Sequence, residues 1–318
     1  MPKFTRRHFA ALAAGAPLAG FLNVATASAG GHAAASAALY DVPVGRYRMT
    51  ALLDGIAGLP RGFFISDDMD ALNAELDAIA VTGDTVPAPV TAYLLQSDDR
   101  TILIDAGMGG IEILGPGFGR MASALAAMGV APADVDTVLL THAHPDHLGG
   151  LVGAGGPVFP SAEVIVGEVE HGFWSDAGMR AQAPEESRGL FDLATGVFEA
   201  YGDRLTLVGD GAEVAPGITF MLSPGHTPGH GLYMIDGGDR QLLMVADTLH
   251  SVDLHMANPD IGFGFDVDSP LAAQSRRRVL DMVTADKMLI AGSHVHFPGF
   301  GRVRTLGDGF RFAPATWS

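Results

Sequence analysis

Three histidines and one aspartate occupy six consecutive positions of this chain, in the stretch Thr141-His-Ala-His-Pro-Asp-His147. The stretch directly follows an apolar run over residues 135–140, which predicts a buried strand that ends at the cluster. Imidazole and carboxylate groups are common protein ligands of transition metals. The cluster therefore favours a fold in which the ends of buried strands form a polar site.

Other polar side chains of the same chemistry also follow apolar runs. His226, Asp247 and His294 each come shortly after a predicted strand, over residues 218–222, 241–245 and 287–291. Four strand ends that meet at one edge of the core would gather all of these groups into a single site.

The composition limits what such a site can contain and bind. The chain has 318 residues, of which 48% are hydrophobic, and this is enough for a large core. It has no cysteine, so a metal site must use histidine, aspartate or glutamate. The formal net charge of -17 disfavours nucleic acid and anionic membrane surfaces as partners.

The order of predicted elements indicates an α+β fold. Residues 90–95 and 101–104 predict a hairpin, and helices are predicted over 120–128, 185–201 and 269–283, the last with Ser269-Pro270 as its cap and first turn. Further strands are predicted over 47–53, 135–140, 162–166, 205–208, 218–222, 232–235 and 241–245, with a last strand over 287–291. Strands with interspersed helices, followed by more strands, fit two mixed sheets packed face to face with helices outside, an αββα sandwich.

The first 29 residues resemble a twin-arginine export signal. Arg6 and Arg7 precede an apolar run that ends at Ala27-Ser28-Ala29, a cleavage site of the A-x-A type. The alternative is a membrane anchor, but Gly15, Pro17 and Gly20 interrupt the run. The predicted organisation is a signal peptide over 1–29, a flexible segment over 30–39 and one domain over 40–318, in a periplasmic or secreted protein without membrane contact after cleavage.

The motifs resemble those of the metallo-β-lactamase-fold hydrolases. The pattern consists of His142-x-His144-x-Asp146-His147, Gly225-His226-Thr-Pro-Gly-His230, Asp247 and His294. The chain is most similar to the methyl parathion hydrolase and quorum-quenching lactonase group. Three more segments also resemble that group: Gly115-Pro-Gly-Phe-Gly-Arg120, Pro184-Glu-Glu-Ser-Arg-Gly-Leu-Phe191 and Phe297-Pro-Gly-Phe-Gly301.

The resemblance implies a binuclear metal centre. One ion would take His142, His144 and His226, the other would take Asp146, His147 and His294, and Asp247 would bridge the two. Seven nitrogen and oxygen ligands are too many for one tetrahedral zinc. Zinc is the first expectation, with manganese, iron or cobalt as alternatives, and a hydroxide that bridges the ions would be the nucleophile. The resemblance also suggests a homodimer.

Residues around the centre are given supporting roles. Asp105 is expected to orient a ligand histidine, and His230 to lie behind the ligands rather than among them. His250 has two open interpretations. It either donates a hydrogen bond to the substrate's developing oxyanion, as a tyrosine does in related lactonases, or forms only the pocket wall. Asp146 and Asp247 complete the catalytic set.

Apolar residues near the ligands are candidates for the substrate pocket, with Trp174 the foremost; they are Leu114, Phe118, Trp174, Leu190, Phe263 and Phe265. Aryl phosphotriester hydrolases of the group carry aromatic residues where this chain has Leu114 and Leu190. A lactone or carboxylic ester is therefore the first substrate expected, and a methyl parathion-like phosphotriester is the alternative. A metal-binding protein without turnover is the alternative of another class.

Overall fold

The computed structural model describes residues 39–79 and 83–315. The predicted signal peptide and residues 30–38 of the predicted flexible segment lie outside the described residues, whereas Leu39 already begins the first strand. The strands are β1 (Leu39–Val44), β2 (Tyr47–Pro60), β3 (Phe64–Ile65), β4 (Thr85–Gln96), β5 (Thr101–Ile104), β6 (Thr137–Leu139), β7 (Val152–Gly153), β8 (Gly156–Pro157), β9 (Glu163–Gly167), β10 (Leu205–Val208), β11 (Glu213–Ala215), β12 (Ile218–Leu222), β13 (Gly231–Asp236), β14 (Gln241–Met244), β15 (Gly262–Phe263), β16 (Leu289–Ala291), β17 (Phe300–Leu306) and β18 (Gly309–Pro314).

The helices are α1 (Met69–Ala78), α2 (Arg120–Ala127), α3 (Pro145–Leu148), α4 (Glu168–Trp174), α5 (Ala177–Gln182), α6 (Arg188–Tyr201), α7 (Val252–Ala257) and α8 (Ser269–Ala285). Short 3₁₀ turns occupy Arg61–Phe63, Pro132–Asp134, Gly149–Leu151, Glu185–Ser187, Gly202–Arg204 and Ala246–Thr248. None of the helices in the described ranges has the length and apolar character needed to cross a bilayer.

Two seven-stranded mixed sheets form the centre of the molecule. The first has the order β1-β2-β4-β5-β6-β9-β10, and the second has the order β11-β12-β13-β14-β16-β17-β18. In the first sheet the pairs from β1 to β5 are antiparallel and those from β5 to β10 are parallel. In the second sheet β14 and β16 are parallel, and the other pairs are antiparallel.

The alternation of side chains along each strand produces the layers. In β5, Ile102 and Ile104 face the core between the sheets, whereas Leu103 faces the core that includes residues of α2 and α6. In β14, Leu242 faces the core between the sheets and Leu243 packs in the core that includes residues of α7 and α8. Because successive side chains of a strand point to opposite faces, each apolar strand serves two cores. The predicted αββα sandwich is confirmed.

Most predicted elements are present, with two corrections. The predicted last strand over 287–291 is followed by β17 and β18, which the Gly-rich stretch around them conceals. Helix α8 is capped by Asp268 and not by Ser269, because the Asp268 carboxylate accepts a hydrogen bond from the Leu271 amide at 3.0 Å.

Candidate metal centre

The ends of strands from both sheets deliver the predicted ligands to one place. His142 and His144 lie in the loop after β6 of the first sheet, and Asp146 and His147 lie in α3. Three strands of the second sheet supply the others: His226 follows β12, Asp247 follows β14 and His294 follows β16. The expected convergence of strand ends is therefore present in the fold.

Three histidine rings turn their nitrogens toward one point. His144 Nδ1 lies 3.1 Å from His142 Nε2 and 2.9 Å from His226 Nε2. The three residues form one of the groups whose nitrogen atoms are close enough together to hold a single ion.

A second group lies on the other side of Asp247. Asp146 Oδ2 is 3.6 Å from His147 Nε2 and 3.3 Å from His294 Nε2. This group is the other half of the ligand set that the resemblance implied.

Asp247 lies between the two groups. Its Oδ2 is 3.7 Å from His142 Nε2 and 3.4 Å from His226 Nε2. The same oxygen is 3.1 Å from His294 Nε2, and Oδ1 is 3.1 Å from His147 Nε2. A carboxylate in contact with four rings from both groups is placed as a bridging ligand would be.

The donor set fits two divalent ions. Ligand atoms around a tetrahedral zinc lie about 3.3 Å apart when each bond is about 2.0–2.1 Å long, which is near the separations found here. His147 Nε2 and Asp247 Oδ1 are buried 3.1 Å apart, yet they form no aligned hydrogen bond with each other or with another residue in the described part of the chain. Buried polar atoms without partners are costly, and a cation between them would satisfy both.

The histidines of the two ligand groups differ in their protonation. Burial holds the pKa values of His142, His144 and His226 well below the usual range, so these rings are neutral. Burial also opposes charge on His147 and His294, but the neighbouring Asp247 and Asp146 carboxylates outweigh it and raise both pKa values, that of His294 to about 10.

Hydrogen bonds from behind fix the orientation of the rings. The Nδ1–H of His147 donates to Asp105 at 2.8 Å, as expected for Asp105, and Thr141 donates to the same carboxylate. His226 Nδ1 lies 3.0 Å from Asp266, and His294 Nδ1 lies 2.8 Å from the carbonyl of Pro89. These contacts turn Nε2 of each ring toward the centre.

Two histidines lie beside the ligand groups. His230 Nε2 accepts the backbone N–H of Asp247 at 3.2 Å, and its Nδ1–H donates to the carbonyl of Ser223. It thus supports Asp247 from behind, as expected. His250 stacks on Phe263 with ring centroids 3.9 Å apart, and its Nε2 is 3.3 Å from Asp247 Oδ2.

A pocket of about 650 Å³, including the space open to solvent, lies over the centre. The polar part of its lining consists of His144, Asp146, His226, Asp247, His250 and His294. The apolar part consists of Ala57, Leu59, Ile113, Leu114, Pro145, Leu190, Phe263 and Phe265. No lysine or arginine occurs among the described residues of this lining.

Comparison with known proteins agrees with this geometry. The model of the metallo-beta-lactamase superfamily matches residues 81–294. The chain belongs to the metallo-β-lactamase superfamily. The resemblance to metallo-β-lactamase-fold hydrolases that was predicted from the motifs is thereby confirmed.

Relatives within the superfamily include lactonases. An N-acyl homoserine lactonase of a Bacillus species is 24% identical over 241 residues, which cover 70% of this chain and 87% of the relative. The hydrolase AbOPH of the beta-lactamase superfamily has a TM-score of 0.83 at 27% identity, over 89% of this chain and 99% of its own. AidC, a dizinc quorum-quenching lactonase in complex with the product N-hexanoyl-L-homoserine, has a TM-score of 0.82 at 26% identity, with the same coverage of 89% and 99%.

The pocket predictions are only partly correct for this member of the superfamily. Leu114, Leu190, Phe263 and Phe265 line the pocket, but Trp174 and Phe118 do not. The indole of Trp174 is buried beneath His144, and its N–H donates to Glu170 at 2.7 Å.

Phe118 lies behind the pocket wall, because it packs against the same apolar cluster as Leu114 and Phe265 but does not line the pocket. Its ring lies against the backbone of Gly55 in β2, where a Cβ atom would come within 2.4 Å of the ring. The glycine therefore leaves the space that the ring fills.

Several residues of the site belong to no recognisable sequence motif. Asp266 and Glu170 are buried acids that hold the ligand loops, and neither lies in a motif. Ala57, Leu59 and Ile113 form part of the pocket wall. The alternating apolar pattern of β2 was a signal for the first two, but it did not show that this end of the strand reaches the pocket.

Proposed function

We propose that the protein is a binuclear metal-dependent hydrolase that opens a lactone or cleaves a carboxylic ester. The observation that carries the proposal is the convergence of seven nitrogen and oxygen donors at the base of a mainly apolar pocket. Two divalent ions, when bound, supply Lewis acidity and lower the pKa of water enough to form hydroxide at neutral pH.

The residues of the centre would hold these ions in two positions. His142, His144 and His226 form the first, and Asp146, His147 and His294 form the second, with Asp247 shared between them. Zinc is the metal we propose, because AidC is a dizinc enzyme and imidazole nitrogen suits zinc. Manganese, iron and cobalt remain chemically compatible with this all nitrogen and oxygen set.

Two side chains are placed to act on the substrate. Asp146 lines the pocket and its side chain is 12% exposed, so its carboxylate can accept the proton of the newly formed carboxylic acid and pass it to the leaving oxygen. His250 also lines the pocket, and its two ring nitrogens form no hydrogen bond within the described ranges. We assign it the donation of an N–H to the carbonyl oxygen on which negative charge develops.

The walls of the pocket favour a neutral substrate with an aliphatic part. Leu114 and Leu190 lie where the aryl phosphotriester hydrolases of the resembling group carry aromatic residues, and both line the pocket. The described lining has no lysine or arginine, so its side chains offer no cation to an anionic group that lies away from the proposed ions. The lactonase relatives and the product complex of AidC support the choice of a lactone.

A phosphotriester is the second candidate substrate. Phe263 and Phe265 present aromatic rings to the same pocket, 5.8 Å apart between centroids. These rings give a surface on which an aryl leaving group can pack.

A parallel turnover assay tests the proposal. Metal-reconstituted protein is assayed with acyl-homoserine lactones, an aryl lactone and methyl paraoxon, with Asp247→Ala as the inactive control. We expect the lactones to be hydrolysed fastest. A phosphotriester rate far above the lactone rates would reverse the ranking. Two bound ions without turnover of any of these substrates would indicate a metal-binding protein and contradict the proposed hydrolase activity.

We also propose that residues 1–29 direct the protein to the periplasm or the exterior. The support is the paired Arg6-Arg7, the apolar run and the small residues that end it.

A further inference from the structure

Glu170 is a buried carboxylate in α4 that takes no part in the proposed chemistry. Its Oε1 accepts hydrogen bonds from the backbone N–H of Ala143 at 2.9 Å and from the indole of Trp174 at 2.7 Å. Its Oε2 accepts from the hydroxyl of Thr227 at 2.6 Å and from the backbone N–H of Gly229 at 3.0 Å. One side chain thus has four donors from three segments of the chain.

These donors belong to the loops that carry the three-histidine group. Ala143 lies between His142 and His144, and Thr227 directly follows His226. The first loop comes from one sheet and the second loop from the other, so Glu170 connects the two sheets just behind the centre. The backbone of Gly229 also approaches α4 so closely that a Cβ atom there would come within 2.1 Å of the Glu170 amide nitrogen.

The four hydrogen bonds favour the ionised form of Glu170 and oppose the rise in its pKa that burial causes. Each carboxylate oxygen accepts at least one backbone N–H, so an amide nitrogen in place of either oxygen would face another donor. In the part of the chain that the structure describes, no lysine, arginine or histidine forms an ion pair with Glu170. The negative charge is therefore held by oriented N–H and O–H dipoles rather than by a salt bridge.

We infer that Glu170 is a positioning residue that sets the distance between the His142–His144 loop and His226, and so builds the three-histidine metal position. The inference rests on the proposed function, since it concerns the ions proposed there. The other position has separate supports, because Asp105 holds His147 and the carbonyl of Pro89 holds His294. Loss of Glu170 should therefore weaken metal binding at the three-histidine position and leave metal binding at the other position unchanged.

The test compares variants by metal content. Wild-type protein and the variants Glu170→Gln, Thr227→Val and Thr227→Ser are equilibrated with buffered free zinc over a wide concentration range, and bound zinc per chain is measured. Asp54→Asn is the matched control, because Asp54 is also a buried carboxylate that accepts two backbone N–H groups, from Met108 and Met121, outside the ligand loops. Thermal unfolding and the cobalt absorption spectrum are recorded for each protein.

We expect wild type to bind two zinc ions per chain. In Glu170→Gln, the affinity for zinc at the three-histidine position should be about 10–100-fold weaker, so that only one ion is bound at low free zinc. Thr227→Val should show a smaller shift of the same ion, and Thr227→Ser, which keeps the hydroxyl, should restore it. The cobalt spectrum should lose the component of only one position. Asp54→Asn should lower the unfolding temperature, but the ratio of the zinc affinities at the two positions should remain that of wild type.

Two results would overturn the inference. One is an equal loss of zinc affinity at both positions in Glu170→Gln and Thr227→Val, which would assign Glu170 a general stabilising role. The other is two ions bound with unchanged affinity in Thr227→Val, even where Glu170→Gln fails to fold. A wild-type protein that binds one ion or none refutes instead the proposed binuclear centre, so the two failures are distinct.

Discussion

The role of His250 depends on the protonation of its ring and on the contacts that hold the ring in place. Burial lowers its pKa, with Asp247 opposing the shift, so the ring stays neutral and keeps one N–H to donate. It lies against Phe263 on one face and toward the pocket on its edge. Stacking fixes the plane of the ring, and a fixed donor costs little reorganisation when charge develops on the substrate.

Replacement of His250 by phenylalanine tests this role. The variant keeps a planar ring for the stack on Phe263 but removes the donor, so we expect kcat for a lactone to fall about 10²-fold with little change in KM. His171→Phe is the control, because that ring packs on Phe198 away from the centre. Unchanged kcat in His250→Phe would reduce His250 to a part of the pocket wall.

The raised pKa values of His147 and His294 predict that metal binding releases protons. In the metal-free protein both rings are protonated at neutral pH, because each faces the carboxylates of Asp146 and Asp247. An ion can bind Nε2 only after the proton leaves, so we expect about two protons to be released per chain at pH 7.

The direction of the pH dependence follows from the same shifts. Each proton must leave its ring before an ion binds, so protons compete with the metal at every pH below the His294 pKa of about 10, and the competition fades as pH approaches that value. Metal affinity should therefore increase with pH from acidic solution up to that pKa. Calorimetric zinc titrations in two buffers of different ionisation enthalpy measure the released protons, and identical heats in both buffers would contradict the prediction.

At the scale of elements, the sequence was most informative where a strand and its polar end are adjacent in the chain. His142 to His147 follow β6 within a few residues, and this density made the motif visible. Glu170 lay beyond such reasoning, because α4 contains Glu168 and Glu170 two residues apart and the sequence does not show which is buried. Trp174 lies behind the pocket and not in its predicted place on the pocket wall, for a related reason. Its indole N–H is needed by Glu170, a contact that only the packing of α4 reveals.

Helix α6 and the loop before α2 together form an apolar wall of the pocket, where we expect the acyl chain of the proposed substrate to lie. Leu190 on α6 and Leu114 in the loop lie on its apolar wall. Leu190→Phe adds volume there, so we expect kcat/KM for a long-chain lactone to fall about tenfold while a short-chain lactone changes little. Leu193→Phe, on the same helix but packed on the core beneath it, is the matched control. Equal losses for both chain lengths would place the acyl chain elsewhere.

At the scale of the whole molecule, the centre exists only when both sheets are folded and packed together. One ligand group takes residues from the first sheet and His226 from the second, and the other takes Asp146, His147 and His294 in the same way. Metal can therefore bind only to the assembled sandwich, and binding stabilises the folded state by mass action. A twin-arginine leader is consistent with this dependence, since that route exports proteins already folded.

The proposed leader gives a prediction for the intact cell. Arg6→Lys with Arg7→Lys should keep the protein in the cytoplasm at full length, folded and loaded with metal, whereas wild type should reach the periplasm with its new amino terminus after Ala27 or Ala29. Residues 1–29 carry three basic residues and no acid, so their removal would make the remaining chain more acidic than -17. Mass spectrometry of each cell fraction and metal analysis of the retained variant give the answer.

A full-length wild-type chain in the membrane fraction would instead support an anchor. Export of a metal-free, unfolded chain would show that export does not require the metal centre to fold first.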